Sequence, residues 1–185
     1  MPRKRLWIGI VLVATMLLNS PTAPAVENDP LPAPKGTPRE RAVRAYNEGV
    51  ALMRAKHYAA AQEQFEQALA LDEALAEAHN NLAFSLRMQG KPHFGQALQH
   101  YNRAVELKPD LTRAYMYRGV LFTHMGDLVR ARADHAKLLA LDPELAARLE
   151  RIIAGTDGHD ESDGLAGAYE EAERSAAAVS GPRHR

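Results

Sequence analysis

Between Ala42 and Leu145 the chain repeats one arrangement of small and bulky residues three times. The first unit places Gly49, Ala61, Phe65, Ala68 and Leu71; the second Ala83, Ala97, Tyr101, Ala104, Leu107 and Pro109; the third Gly119, Ala131, His135, Leu138, Leu141 and Pro143. The units abut as Ala42–Leu75, Ala76–Leu111 and Thr112–Leu145, which are 34, 36 and 34 residues long. A chain with this period cannot bury the apolar face of one unit alone, so its units must stack on their neighbours. Gly or Ala at the eighth position and Ala at the twentieth, counted without the two extra residues of unit two, fall where antiparallel helices touch. Small side chains there let the axes approach to about 8–10 Å. Leu52, Leu86 and Phe122 at the eleventh position, with Phe65 and Tyr101 at the twenty-fourth, are spaced to fill what the small residues leave.

This small–large–small spacing resembles the tetratricopeptide repeat family, over roughly 117 residues from Pro38 to Ala154. The resemblance implies an all-α fold, a right-handed α-solenoid of three helix–turn–helix units (42–75, 76–111, 112–145) plus a C-terminal capping helix over 143–154. Three departures carry information. Lys56 stands at the turn where units two and three have Gly90 and Gly126; if that turn needs a left-handed residue, Lys56 holds about 1 kcal/mol of strain. The two extra residues of unit two fall in Lys91–Gly95, expected as a loop bulging between its helices. His135 replaces the aromatic of unit three and is expected to be half-buried.

The ends read as an address and a tail. Arg3, Lys4 and Arg5 precede the apolar run Leu6–Leu18, and Ala23-Pro24-Ala25 offers small residues for cleavage before Val26, so residues 1–25 are expected to be a signal peptide. A spanning helix needs about 20 apolar residues, which makes an uncleaved membrane anchor the alternative. Without cysteine there is neither a lipid attachment site nor a disulfide framework, so the expected location is the periplasm of a bacterium or, second, the secreted space. Residues 26–37 hold Pro30, Pro32 and Pro34 and read as an extended linker. Thr37-Pro38-Arg39-Glu40 combines a capping hydroxyl, a proline at the first helical position and a glutamate at the third. At the far end Asp142-Pro143-Glu144 starts the capping helix, whose Leu145, Leu149, Ile152 and Ile153 recur at helical spacing to cover the last unit. Residues 155–185 read as a disordered acidic and polar tail with a short helix expected over Leu165–Val179; its Asp157, His159, Asp160, Glu161 and Asp163 match no cation loop and read as solvated charge.

Composition narrows the function. Loss of the leader leaves 20 basic against 23 acidic residues, a balance that argues against a nucleic-acid partner. The phosphate loop, the Gly-x-Ser-x-Gly elbow and the His-Glu-x-x-His helix are all missing, and no two of the eight histidines have the i, i+4 spacing of a metal helix. No catalytic residues, metal site or cofactor are therefore assigned, and the expectation is a non-enzymatic chain.

In the repeat family the first helix of each unit lines a concave groove. Carried onto this chain, the groove positions give Tyr46, Asn47 and Val50 in unit one, Asn80, Asn81, Phe84, Arg87 and Met88 in unit two, and Arg113, Met116, Tyr117 and Val120 in unit three, with Val43, Met53, Arg54, Glu77, Thr123 and His124 around them. Aromatics and methionines supply adaptable apolar contact, while asparagines and arginines supply hydrogen bonds. Asn47 and Asn81 share the sixth position, where similar repeats use an amide to grip a peptide backbone; the alternative is a tolerated residue on a solvated face. Family members that grip carboxyl-terminal acids place Lys, Asn, Asn, Lys and Arg where this chain has Tyr46, Val50, Asn81, Arg113 and Tyr117. That pattern is not carried over, and the groove reads as suited to a less acidic, partly apolar segment. The expected partner is another protein or a peptide segment of one, bound by a periplasmic adaptor or assembly factor. The alternatives are a structural scaffold that uses its convex face or ends, and self-association through an exposed end.

Overall fold

In a computed structural model that describes residues 36–155, the small residues of the repeat sit at the tightest contacts. A methyl group placed on Gly49 would lie 2.7 Å from the ring of Phe65, which is fully buried and has no room to yield. On Gly119 it would lie 2.5 Å from a methyl of Leu149, also fully buried. The eighth-position glycine thus presses on the twenty-fourth-position aromatic in unit one. In unit three, where that aromatic is His135, the capping helix supplies the leucine that fills the space.

The elements run α1 (Pro38–Arg54), α2 (Tyr58–Leu71), α3 (Ala76–Met88), a 3-10 turn (Lys91–His93), α4 (Phe94–Leu107), α5 (Thr112–His124), α6 (Leu128–Leu141) and α7 (Pro143–Ile153), with no strand among the described residues. Each unit is a helix pair: α1 packs on α2, α3 on α4, and α5 on α6. The pairs stack through α2 on α3 and α4 on α5, while α7 closes the last pair against both α5 and α6. The first helices α1, α3 and α5 touch in turn and form one layer. This is an all-helical solenoid of three pairs and a cap. The signal peptide, most of the linker and the tail expected beyond Gly155 lie outside the described residues.

Local chemistry sets the element ends. The Thr37 hydroxyl accepts from the Glu40 amide at 3.2 Å while the Glu40 carboxylate accepts from the Thr37 amide at 2.8 Å, a complete capping box. Asp142 accepts from the Leu145 amide at 3.0 Å to start α7. Lys56 has φ of 60°, in the left-handed region also occupied by Gly90 and Gly126. The expected bulging loop at Lys91–Gly95 is instead the 3-10 turn, and Phe94 and Gly95 already belong to α4. Pro92 lies inside this turn, where the first amides have no intrahelical partner to lose, so the two extra residues are absorbed as helix.

A buried ion pair inside unit three also ties that unit to unit two. Arg118 of α5 donates to Asp134 of α6 through Nε at 3.0 Å and Nη2 at 2.6 Å, and to Asn102 Oδ1 of α4 at 2.8 Å. Burial raises the Asp134 carboxyl above the ordinary carboxylate value, and Arg118 opposes that shift. Cutting Arg118 to Ala should cost about 3–5 kcal/mol by leaving Asp134 buried without its partner, and Arg118→Met with Asp134→Leu should recover most of it. Gly49→Ala should lower stability by about 1–3 kcal/mol through overpacking against Phe65, while Lys56→Gly should raise it by up to about 1 kcal/mol. Urea midpoints for the four proteins check both statements.

Candidate functional site

The residues assigned to the groove lie on α1, α3 and α5, and the structure divides them into three groups. The first is a chain of side-chain amides. Asn81 Nδ2 of α3 donates to the Tyr46 hydroxyl of α1 at 3.2 Å, and Asn80 Nδ2 donates to Asn81 Oδ1 at 3.1 Å. Asn80 and Asn81 are both buried, and Asn80 Oδ1 has no hydrogen-bond partner among the described residues. A buried acceptor left in this state is costly unless a donor reaches it. Of the two asparagines at the sixth position, Asn47 is exposed on α1, while Asn81 is buried and donates to Tyr46.

The second group is aromatic and cationic. Phe84 meets Tyr117 of α5 edge-on at 5.2 Å between ring centres and Tyr58 of α2 at 6.2 Å. The Arg87 guanidinium sits 5.1 Å from the Phe84 ring centre, within cation–π range. Arg113 hydrogen-bonds the Tyr117 hydroxyl, and the charges of Arg113, Arg87 and Arg148 all act on it. Burial dominates all the same and pushes the Tyr117 hydroxyl above the usual tyrosine range, so it stays protonated. Three guanidinium groups, from α3, α5 and α7, therefore gather around one tyrosine.

The third group is core. Val50, Met116 and Val120 are buried in the main hydrophobic cluster, and half-buried Met88 packs against it. Their role is to hold the polar groups in place. Arg148 is not among the expected residues because α7 reads as a cap, and its apolar stripe gives no hint that a cation on the flank of that stripe acts on Tyr117. Among the described residues no three His, Asp or Glu side chains group as metal ligands would, and no helix is long and apolar enough to cross a membrane.

The fold is that of tetratricopeptide repeat domains. The chain resembles the Arabidopsis OM64 TPR domain with a TM-score of 0.60 and 23% identity, covering 65% of this chain and 99% of that one. It also resembles the first TPR of Spaghetti (RPAP3) bound to the HSP90 peptide SRMEEVD, with a TM-score of 0.58, 22% identity and coverage of 63% and 94%. In sequence, 74 residues are 38% identical to the FK506-binding protein-like of Rattus norvegicus, or 40% of this chain and 21% of that protein. The chain thus matches only about a fifth of that relative's length. No model of a known protein family matches the sequence.

Tyr46→Phe probes the amide chain, since it keeps the ring against Phe65, 5.8 Å between centres, and removes the acceptor of Asn81. The expected cost is about 1–3 kcal/mol for a buried donor left unpaired, read from the urea midpoint. An unchanged midpoint would show that the amide finds another partner.

Proposed function

We propose that this chain is a non-enzymatic protein-interaction module that binds an extended or helical segment of a partner protein across the α1–α3–α5 face. The observation that carries the reading is the convergence on that face of an unmet buried acceptor, Asn80 Oδ1, an aromatic pair, Phe84 and Tyr117, and the guanidinium groups of Arg87, Arg113 and Arg148. Once the contacts that cover Asn80 Oδ1 open, a backbone amide of the bound segment would satisfy it. An apolar side chain would lie against the aromatics, and carboxylates would be drawn to the arginines. The guanidinium cluster makes the favoured segment more acidic than the sequence implies. A structural neighbour with a bound acidic peptide supports this reading by analogy of fold. With the leader reading of residues 1–25, the module is a periplasmic adaptor or assembly factor, and amino-terminal sequencing of the exported protein should begin at Val26.

The test is selection from a displayed random-peptide library with the mature protein, beside an Asn80→Ala variant and an Arg87→Ala, Arg113→Ala variant of unchanged melting temperature. Enrichment of one motif that joins an apolar residue to carboxylates, weakened at least tenfold by either variant, is expected. Recovery of the same peptides by all three proteins would move the binding surface elsewhere. A specific observation favours one other location: Val129 is 80% and Leu139 56% exposed on α6, as a scaffold using its outer face would have them. Val129→Ser with Leu139→Ser should leave peptide selection unchanged under the proposed reading and abolish assembly under the scaffold reading.

A further inference from the structure

Helices α3 and α4 also meet through two imidazoles that the proposed binding face does not use. His79, on α3 next to Asn80, is buried, and its Nδ1 lies 2.9 Å from Nδ1 of His100 on α4. The ring centres are 5.2 Å apart. That separation is close to the nitrogen–nitrogen distance plus one ring radius at each end, so the two nitrogens meet head-on along the line of centres. A head-on contact of this length is a hydrogen bond with one shared proton. A metal ion needs about 2.0–2.1 Å to each nitrogen and does not fit between them.

The far side of His79 decides which ring supplies the proton. Its Nε2 lies 3.1 Å from the backbone carbonyl oxygen of Glu73, which can only accept. Neutral His79 therefore carries its proton on Nε2 and accepts at Nδ1, and His100 is the Nδ1–H tautomer. The result is one directed chain in which His100 donates to His79 and His79 donates to Glu73. It ties α4 to α3, and α3 to the connection from α2.

While it stays joined, such a couple takes one added proton but not two. A proton on Nε2 of His100 leaves its Nδ1–H bond in place and strengthens it by charge. A second proton, on Nδ1 of His79, sets two N–H groups and two positive charges against each other. The charged groups acting on the couple are Glu66 of α2 on His100, and Glu73 of the α2–α3 connection and Arg103 of α4 on His79. The carboxylates favour the first proton, while Arg103 and the first imidazolium oppose the second. Burial, the largest influence on both rings, holds each below the ordinary histidine value of 6.5.

We propose that the His79–His100 couple is a proton-operated latch: in acid solution it takes up the second proton, parts, and frees the start of α3, with Asn80 and Asn81, from α4 and from Glu73. What the moved face would then release rests on the function proposed above, but the latch itself does not. Because both native values are depressed, the unfolded chain takes up protons first as pH falls. The couple's contribution to stability is complete above 6.5 and is lost as pH drops through the native values.

Long-range proton–nitrogen NMR of the imidazoles in the full chain tests the latch without any partner, so its failure is separable from failure of the binding reading. The expected record at neutral pH is protonated Nε2 on His79 and protonated Nδ1 on His100. On acidification one ring should charge first and the other at least one pH unit later, the second step coinciding with a shift of the Asn80 and Asn81 side-chain amides. In His100→Gln, whose amide still donates to His79, the late step in the amide shifts and the matching fall in the urea midpoint should disappear; the other six histidines are common to both proteins. Independent titration of the two rings in the same range, or stationary Asn80 and Asn81 resonances through the second step, would overturn the proposal.

Discussion

The distance between paired helices is the constraint on which everything else rests. Where Gly49 faces Phe65 and Gly119 faces Leu149, there is no room for one more carbon. This closeness lets fully buried Phe65, Tyr101 and Leu138 fill their layers, and it fixes the rotation of each first helix about its axis. Once that rotation is fixed, so is the set of side chains that α1, α3 and α5 turn toward one another. A solenoid of only three pairs has little redundancy, since each unit depends on its neighbours for burial. The cap is therefore a structural member, and Leu149 stands in unit three where an aromatic stands in the first two.

The middle pair bears the consequences of stacking. Every residue of α3 from Ala78 to Arg87 is buried, whereas α1, four residues longer, buries only five. A fully surrounded helix carrying His79, Asn80, Asn81, Ser85 and Arg87 must find hydrogen bonds for groups that water would otherwise satisfy. Each is answered from a different side where an answer exists: Tyr46 from α1 for Asn81, His100 from α4 for His79, and the Phe84 face for the Arg87 charge. Asn80 Oδ1 and Ser85 Oγ have no answer among the described residues. Polar residues in the central helix thus cost stability wherever a partner is missing.

What the sequence makes legible follows the repeat. The period gives three helix pairs, the small-residue contacts and the left-handed Lys56, and short local patterns give the capping box at Thr37 and the restart at Asp142, because each depends on residues close in sequence or on one register. What it hides depends on pairs formed across helices. Asn47 and Asn81 share a repeat position, yet Asn47 is exposed and Asn81 is buried against Tyr46 of the preceding unit, a contact that no spacing within one unit shows. Arg148 is invisible as a functional residue because its helix belongs to no repeat. His79 and His100 are 21 residues apart with no shared spacing rule, so only the folded α3–α4 contact shows that they meet. The 3-10 turn is hidden because two extra residues between paired helices read as a bulging loop, although a proline at the first positions of a helix breaks nothing.

These contacts give α3 a position unlike that of any other helix. It is bound to α1 through Asn81 and Tyr46, to α5 through Phe84 and Tyr117, to α4 through the two histidines, and to α4 again at its own start, where Glu77 accepts from Lys108 at 2.8 Å. The first two links lie on the proposed binding face, and the latter two lie off it. A ligand that engages Asn80 and Phe84 must hold α3 where the histidine couple already holds it, so the two act on one helix position. Linkage then requires reciprocity: if the second proton weakens ligand binding by some factor, bound ligand must weaken uptake of that proton by the same factor. The coupling needs no long pathway, because His79 and Asn80 are consecutive residues on one buried helix.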